Sequence, residues 1–380
     1  MVTRYNSSKV KELNKKIILK AIQDNEEMTR AELVKMTGLA PSSITRLTRE
    51  LIQEGYLVEG GIIYKNFPGR NGIKLRLNSN KWKTLAFDVG VNETIAGVGF
   101  FDSNVEVLEK IITPKKPEEF FQTVEKIYKK YASTYQFSRI SLSIPGMCNM
   151  KANEILLAPN LGWKNVKVSD YLNLDVPVII DNEANLSLLA EQSKAEDLKN
   201  IKDAIFVMIR EGVGTGVMIN GSIYRGHSFT AGEAGHMTVD IHSDLKCHCG
   251  NTGCWELYSS INWAIQNYGK KLKGKTPIEK FENLKSREDS EKAFRKFAKN
   301  IAIGIVNIVN IINPELVVLG GEIVDMPSYF YEEIQDIVER KAFDYATADL
   351  RIRPSVFRTE SSNLVGAVVI AVKDLIDEVT

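Results

Sequence analysis

Three of the chain's four cysteines, Cys247, Cys249 and Cys254, fall within eight residues, with His236 a short way upstream. Three thiolates and one imidazole make up a closed tetrahedral ligand set, the usual form of structural zinc. Gly250 and Gly253 permit the tight loop that such a knuckle needs. On spacing alone, His242 and His248 compete with His236 as the fourth ligand. The expected cofactor is therefore a structural Zn²⁺ ion held by His236, Cys247, Cys249 and Cys254. Through one ring nitrogen of His236 it would also aim the other nitrogen at a neighbouring group. The low cysteine total argues against a disulfide-stapled secreted scaffold.

A second set of chemically useful residues lies near the N-terminus. Ser42, Ser43, Thr45, Arg46 and Arg49 share the polar face of a helix expected from about Ser42 to Glu54. Its other face carries Ile44, Leu47, Leu51 and Ile52. Small hydroxyl residues let a helix approach the major groove, and arginines contact bases or phosphates. The preceding helix is announced by Thr29 and Glu32, a Thr-x-x-Glu capping box, and stopped by Gly38. An earlier helix over residues 10–22 has Val10, Leu13, Ile17 and Ala21 as its apolar stripe. Alternating stretches at 56–64 and 73–77 predict a hairpin, with Arg70 at its tip, near phosphates or in a minor groove. Two short helices and a hairpin describe a winged helix-turn-helix. Residues 1–82 hold 15 Lys/Arg against 8 Asp/Glu, and the remaining chain 34 against 40. That asymmetry favours DNA over protein as the partner of this module.

A chain of 380 residues exceeds one compact core, and its composition, 44% hydrophobic and 26% charged, is that of a globular protein. The first residues lack an apolar signal core and no apolar run reaches membrane-spanning length, so a cytoplasmic protein without a membrane partner is expected. From Thr84 the pattern becomes strand, strand, strand, helix, strand, and it restarts at Ala204. Strand triplets alternating with helices, presented twice, predict a duplicated α/β fold with a cleft between its lobes. The expected domains are residues 1–80 for the winged helix, 81–200 for a first lobe and 201–380 for a second. The second lobe carries the knuckle, and the C-terminal helix is expected to pack back on the first.

Several motifs add to this frame. Ala231-Gly-Glu-Ala-Gly-His236 and Cys247-His-Cys-Gly-Asn-Thr-Gly-Cys-Trp-Glu256 resemble the zinc-binding signature of the ROK family of repressors, open reading frames and sugar kinases. Asp88-Val-Gly90, Ile144-Pro-Gly146, Ala158-Pro-Asn-Leu-Gly-Trp163, Asp181-Asn-Glu-Ala-Asn185 and Val318-Leu-Gly-Gly321 follow in the order that family uses. The resemblance covers nearly the whole chain, since repressor members carry an N-terminal winged helix-turn-helix. It implies an actin/hexokinase-type, ribonuclease H-like fold with a sugar bound between the lobes. Carried over by motif, the sugar ligands are Asn160, Asn182, Glu183, Glu233, His236 and Glu256. Convergent charged acceptors suit a polyol.

The same resemblance allows either a kinase or a sensor. Kinase members place an Asp as general base in Asn-Asp-Ala-Asn; here Glu183 occupies that position, with a carboxylate displaced by an extra methylene. Val91-Asn92 stands where kinases have Gly-Thr. Arg210-Glu-Gly-Val-Gly-Thr-Gly216 puts Glu211 where phosphates would sit, a repulsive arrangement. The expectation is therefore no catalytic residue. The chain should be a xylose-repressor-like regulator that binds operator DNA as a homodimer or dimer of dimers and releases or tightens on a carbohydrate effector. The rival is an ATP-dependent glucose or N-acetylglucosamine kinase. A weaker third reading is a DNA-binding module that senses a transporter component.

Overall fold

The computed structural model describes residues 7–63, 72–269 and 271–380. The N-terminal part is built from α1 (Ser7–Asn25), β1 (Glu27–Thr29), α2 (Arg30–Thr37), α3 (Pro41–Gln53), β2 (Leu57–Ile63) and β3 (Gly72–Leu77). β2 and β3 form the antiparallel hairpin, and β1 adds to β3 as a third strand. The capping box forms as expected: Glu32 N–H donates to Thr29 Oγ1, and Thr29 N–H donates back to the Glu32 carboxylate at 2.7 Å. Gly38 takes φ +69° and closes α2. Leu33, Ile44, Leu47 and Leu51 are fully buried with Ile18, Leu19 and Ile22.

One expectation fails here. Val10, Leu13 and Ile17 are not the buried stripe of α1: they are 43%, 49% and 37% exposed, while Ala21 alone of that set is buried. The inward face is instead Lys15, Ile18, Leu19, Ile22 and Gln23. α1 has two partners, its own module and the C-terminal helix, and these select the face.

The rest of the chain repeats one topology. Its first copy comprises β4 (Lys83–Val89), β5 (Glu93–Phe100), β6 (Val105–Ile112), α4 (Pro117–Tyr135), β7 (Arg139–Ile144), a small antiparallel sheet β8 (Met147–Asn149), β9 (Glu154–Ala158) and β10 (Trp163–Lys167), then β11 (Val178–Asn182). The main sheet runs β11-β7-β4-β5-β6. After α5 (Glu183–Lys194), the second copy has β12 (Ala204–Ile209), β13 (Val213–Ile219), β14 (Ser222–Ile223), α6 (Glu256–Ser259), α7 (Ile261–Tyr268), α8 (Pro277–Lys285), α9 (Glu291–Ile312), β15 (Leu316–Gly321), α10 (Ser328–Lys341), α11 (Asp344–Thr347) and β16 (Arg351–Pro354). Its sheet runs β14-β13-β12-β15-β16. In both, an antiparallel meander is extended by a strand parallel to the first. The identical order is the duplication expected from the strand pattern. The fold is mixed α/β.

The chain divides into two compact units. One runs through Asp181 and adds Gln192–Lys199 and Asn363–Thr380; the other comprises Asn182–Glu191 and Asn200–Ser362. In the first, Leu85, Phe87, Val89, Ile140, Leu142 and Ile144 pack on α4 through Phe120, Phe121 and Val124. The opposite sheet face is covered by α12 (Ser362–Asp377), apolar on nearly every side, as a sandwiched helix must be. Gly99 makes the close approach possible, since a Cβ there would come within 2.3 Å of Val368. The far end of α12 grips α1. Lys16 Nζ donates to Asp377 O (2.6 Å), Lys20 pairs with Asp377 (2.6 Å) and Gln23 Nε2 donates to Val369 O (3.2 Å). Tyr56, Trp82 and Phe101 add an aromatic cluster with centroids 5.0–6.5 Å apart. The winged helix is thus built into the first unit rather than tethered to it.

Candidate functional site

On α3, Ser42, Thr45, Arg46 and Arg49 are exposed and Ser43 is half-buried, so the expected DNA-reading face points outward. Pro41 begins the helix, where its missing N–H costs nothing. Thr45 Oγ1 donates to Pro41 O (2.9 Å), and Arg46 lies 3.9 Å from Glu50 in a loose pair that a phosphate could displace. Arg70 lies outside the described residues.

In the second unit, His236, Cys247, Cys249 and Cys254 place their ligand atoms within 4.8 Å of one another. Cys249 Sγ is 3.6 Å from Cys254 Sγ, and Cys247 Sγ is 3.5 Å from His236 Nδ1. Sulfurs bound to one tetrahedral zinc stand about 3.8 Å apart, so the set fits such an ion. Burial pushes the thiols of Cys247 and Cys254 above their ordinary range, which a bound cation reverses by favouring the thiolates. Burial also lowers the His236 pKa, favouring the neutral ring a metal requires. Gly253, at φ +68°, brings the knuckle back so closely that a Cβ would lie 2.0 Å from Asp240 O. Of the competing histidines, His242 joins no cluster among the described residues. His248 joins a second candidate set with His236, Cys247 and Glu256.

Of the expected sugar ligands in this unit, Glu233, His236 and Glu256 gather at that cluster. Glu256 opens α6 and is buried, its Oε1 2.9 Å from Cys247 Sγ, 3.2 Å from His248 Nδ1 and 3.5 Å from His236 Nδ1. His236 turns Nδ1 toward the thiols and Nε2 toward Glu233, 3.8 Å away. Burial, and then the nearby Glu256 carboxylate, raise the Glu233 pKa to about 7. Asn182 ends β11 and Glu183 begins α5. The Asn182 Oδ1 is occupied, accepting Ala184 N–H (2.8 Å) and Asn185 N–H (3.3 Å) as the helix cap. Asn160 is exposed on the turn Pro159–Leu161 of the other unit.

Two participants escaped the sequence reading. Arg210 Nη1 donates to Glu183 Oε2 at 3.1 Å, and Arg210 Nε stands 3.7 Å from Glu322 Oε1. Burial raises the Glu322 pKa while Arg210 opposes that rise. No local pattern links residues 183, 210 and 322; they meet because β12 and β15 are parallel neighbours ending together, with Ile209 opposite Gly321. The glycine that ends the 210–216 stretch has a packing use. A Cβ on Gly216 would lie 2.4 Å from Ala184 O, so its absence seats α5 on β13.

Fold and sites define a class, a winged-helix DNA-binding module built into a duplicated sugar-kinase-type domain with a cluster able to hold a metal. The chain belongs to the ROK family, whose profile matches residues 84–374, and a winged helix-turn-helix DNA-binding profile matches residues 12–58. It is 30% identical to a xylose repressor of Caldicellulosiruptor bescii, with 98% of each chain covered, and 30% identical to one of Bacillus subtilis, with 91% of each covered. It is 26% identical to the Escherichia coli DNA-binding transcriptional dual regulator NagC over 89% of this chain and 87% of that one. Among solved structures, a ROK family transcriptional regulator homologous to E. coli Mlc aligns with TM-score 0.77 at 22% identity, covering 97% and 98% of the two chains. A ROK glucokinase from Streptomyces griseus aligns at 0.64 and 22% identity over 76% of this chain and 98% of its own. Among the described residues no helix is long and apolar enough to cross a membrane.

Proposed function

We propose that this chain is a transcriptional repressor of carbohydrate-utilisation genes, binding operator DNA through α3 and controlled by a sugar held beside the metal cluster. The observation that carries it is the outward polar face of α3 on a module built into the sugar-kinase-type unit. Relatives named as xylose repressors match along both parts of the chain. Ser42, Ser43, Thr45, Arg46, Arg49 and Arg70 contact DNA. Asn182, Glu183, Glu233, His236 and Glu256 hold the sugar, and the assignment of Asn160 rests on the family pattern alone. A structural Zn²⁺ on His236 Nδ1, Cys247, Cys249 and Cys254 would fix the imidazole so that Nε2 faces the sugar site. Two recognition helices in a homodimer read a two-fold operator, and the sugar acts through its different affinities for the DNA-competent and DNA-released states.

Gel-shift titration of fragments upstream of sugar-utilisation genes, with and without D-xylose, D-glucose and N-acetyl-D-glucosamine, tests this. Specific binding altered by one of the sugars is expected; no DNA binding in any condition overturns it. A kinase is the second reading, favoured by the likeness to the glucokinase fold and by the carboxylate of Glu183. Against it, one oxygen of that carboxylate, Oε2, already accepts a hydrogen bond from Arg210 Nη1 at 3.1 Å, an oxygen that a general base would turn to the sugar hydroxyl. Sugar-dependent ADP release that disappears in Glu183→Gln would establish the kinase.

A further inference from the structure

Three charged side chains from separate elements converge in the second unit: Glu183 at the start of α5, Arg210 just past β12 and Glu322 just past β15. Their backbones are fixed before the side chains meet. Arg210 N–H donates to Gly212 O (3.0 Å) and its carbonyl accepts Ile261 N–H (2.9 Å). Glu322 N–H donates to Ile209 O (2.9 Å), and Glu183 sits in the capped first turn of α5. The three side chains are 27%, 14% and 18% exposed for Arg210, Glu183 and Glu322, so water screens them only in part.

We propose that Arg210 is a positioning residue of the sugar site, holding the Glu183 carboxylate in one orientation so that it serves as a fixed acceptor for a sugar hydroxyl. This rests on the reading that Glu183 touches the sugar. A glutamate has three side-chain torsions, and ordering them on binding costs affinity unless they are ordered beforehand. The guanidinium does that ordering with a charge-assisted hydrogen bond from Nη1. Glu322, on the Nε side of the same guanidinium, restrains Arg210 in turn.

The test is a double-mutant cycle on the full chain. Calorimetry with D-xylose, D-glucose and N-acetyl-D-glucosamine first identifies the sugar that the unsubstituted protein binds. If none binds, the sugar-site reading falls, and the proposal with it, before any variant is made. With the sugar that binds, Arg210→Gln should weaken affinity about tenfold, and Arg210→Lys should restore part of it. In a Glu183→Gln background, Arg210→Gln should cost less than about threefold, because the group it positions is gone. Additive effects, or full affinity in Arg210→Gln, overturn the proposal while leaving the sugar site standing. Melting curves establish that each variant is folded.

Discussion

Gly216→Ala separates two accounts of the glycine-rich stretch 212–216. If these glycines formed a phosphate loop, a methyl at Gly216 would touch nucleotide binding alone. The structure instead puts that methyl carbon 2.4 Å from Ala184 O, 2.9 Å from Ala184 C and 3.2 Å from Asn185 N. Carbon and carbonyl oxygen rest about 3.3 Å apart at their closest comfortable contact, so the first turn of α5 must retreat by about 1 Å. Overpacking of this kind costs about 1–3 kcal/mol, a fall in Tm of roughly 3–10 °C for a unit this large. The retreat carries Asn182 and Glu183 with it, and sugar affinity should fall roughly tenfold or more as a charged hydrogen bond is lost. α3 is not involved, so sugar-free operator binding should survive. The assays are differential scanning fluorimetry, calorimetry with the sugar panel and a gel shift. Unchanged Tm and sugar affinity in Gly216→Ala would refute the seating of α5 on β13.

Arg46→Ala or Arg49→Ala should weaken operator binding roughly ten- to a hundredfold in a gel shift while leaving the sugar-induced Tm shift unchanged. Cys249→Ser should lose about one equivalent of zinc by elemental analysis and melt at lower temperature, as should the chelated parent. Cys148→Ser, outside the cluster, should keep its metal. Asp377→Lys should loosen the grip of α12 on α1 by no more than about 1 kcal/mol, since the pair is solvent-exposed, and Lys20→Glu should recover part of that loss in a thermal melt.

What the sequence determined by itself is what short range decides. Thr29 and Glu32 are three residues apart, so a single turn brings them together whatever surrounds them, and the capping box was legible. Cys247, Cys249 and Cys254 lie in one small loop, and their donor chemistry marks a candidate metal site from the residues alone. The strand triplets could be read twice because alternation is a local property. The long-range choices were not legible. Which face of α1 is buried depends on α12, more than 300 residues away, and period alone marked the wrong side. Asn182 was legible as part of a motif, but its second task, capping α5 through Oδ1, shows only once the helix is placed. Arg210 and Glu322 find Glu183 only because parallel pairing of β12 and β15 ends both strands at one edge. Glycine at 216 could mean a loop or a close approach, and only the 2.4 Å between its missing Cβ and Ala184 O decides for the approach. Local hydrogen-bond geometry is encoded within a few residues; which surfaces meet is settled by the burial of the whole chain.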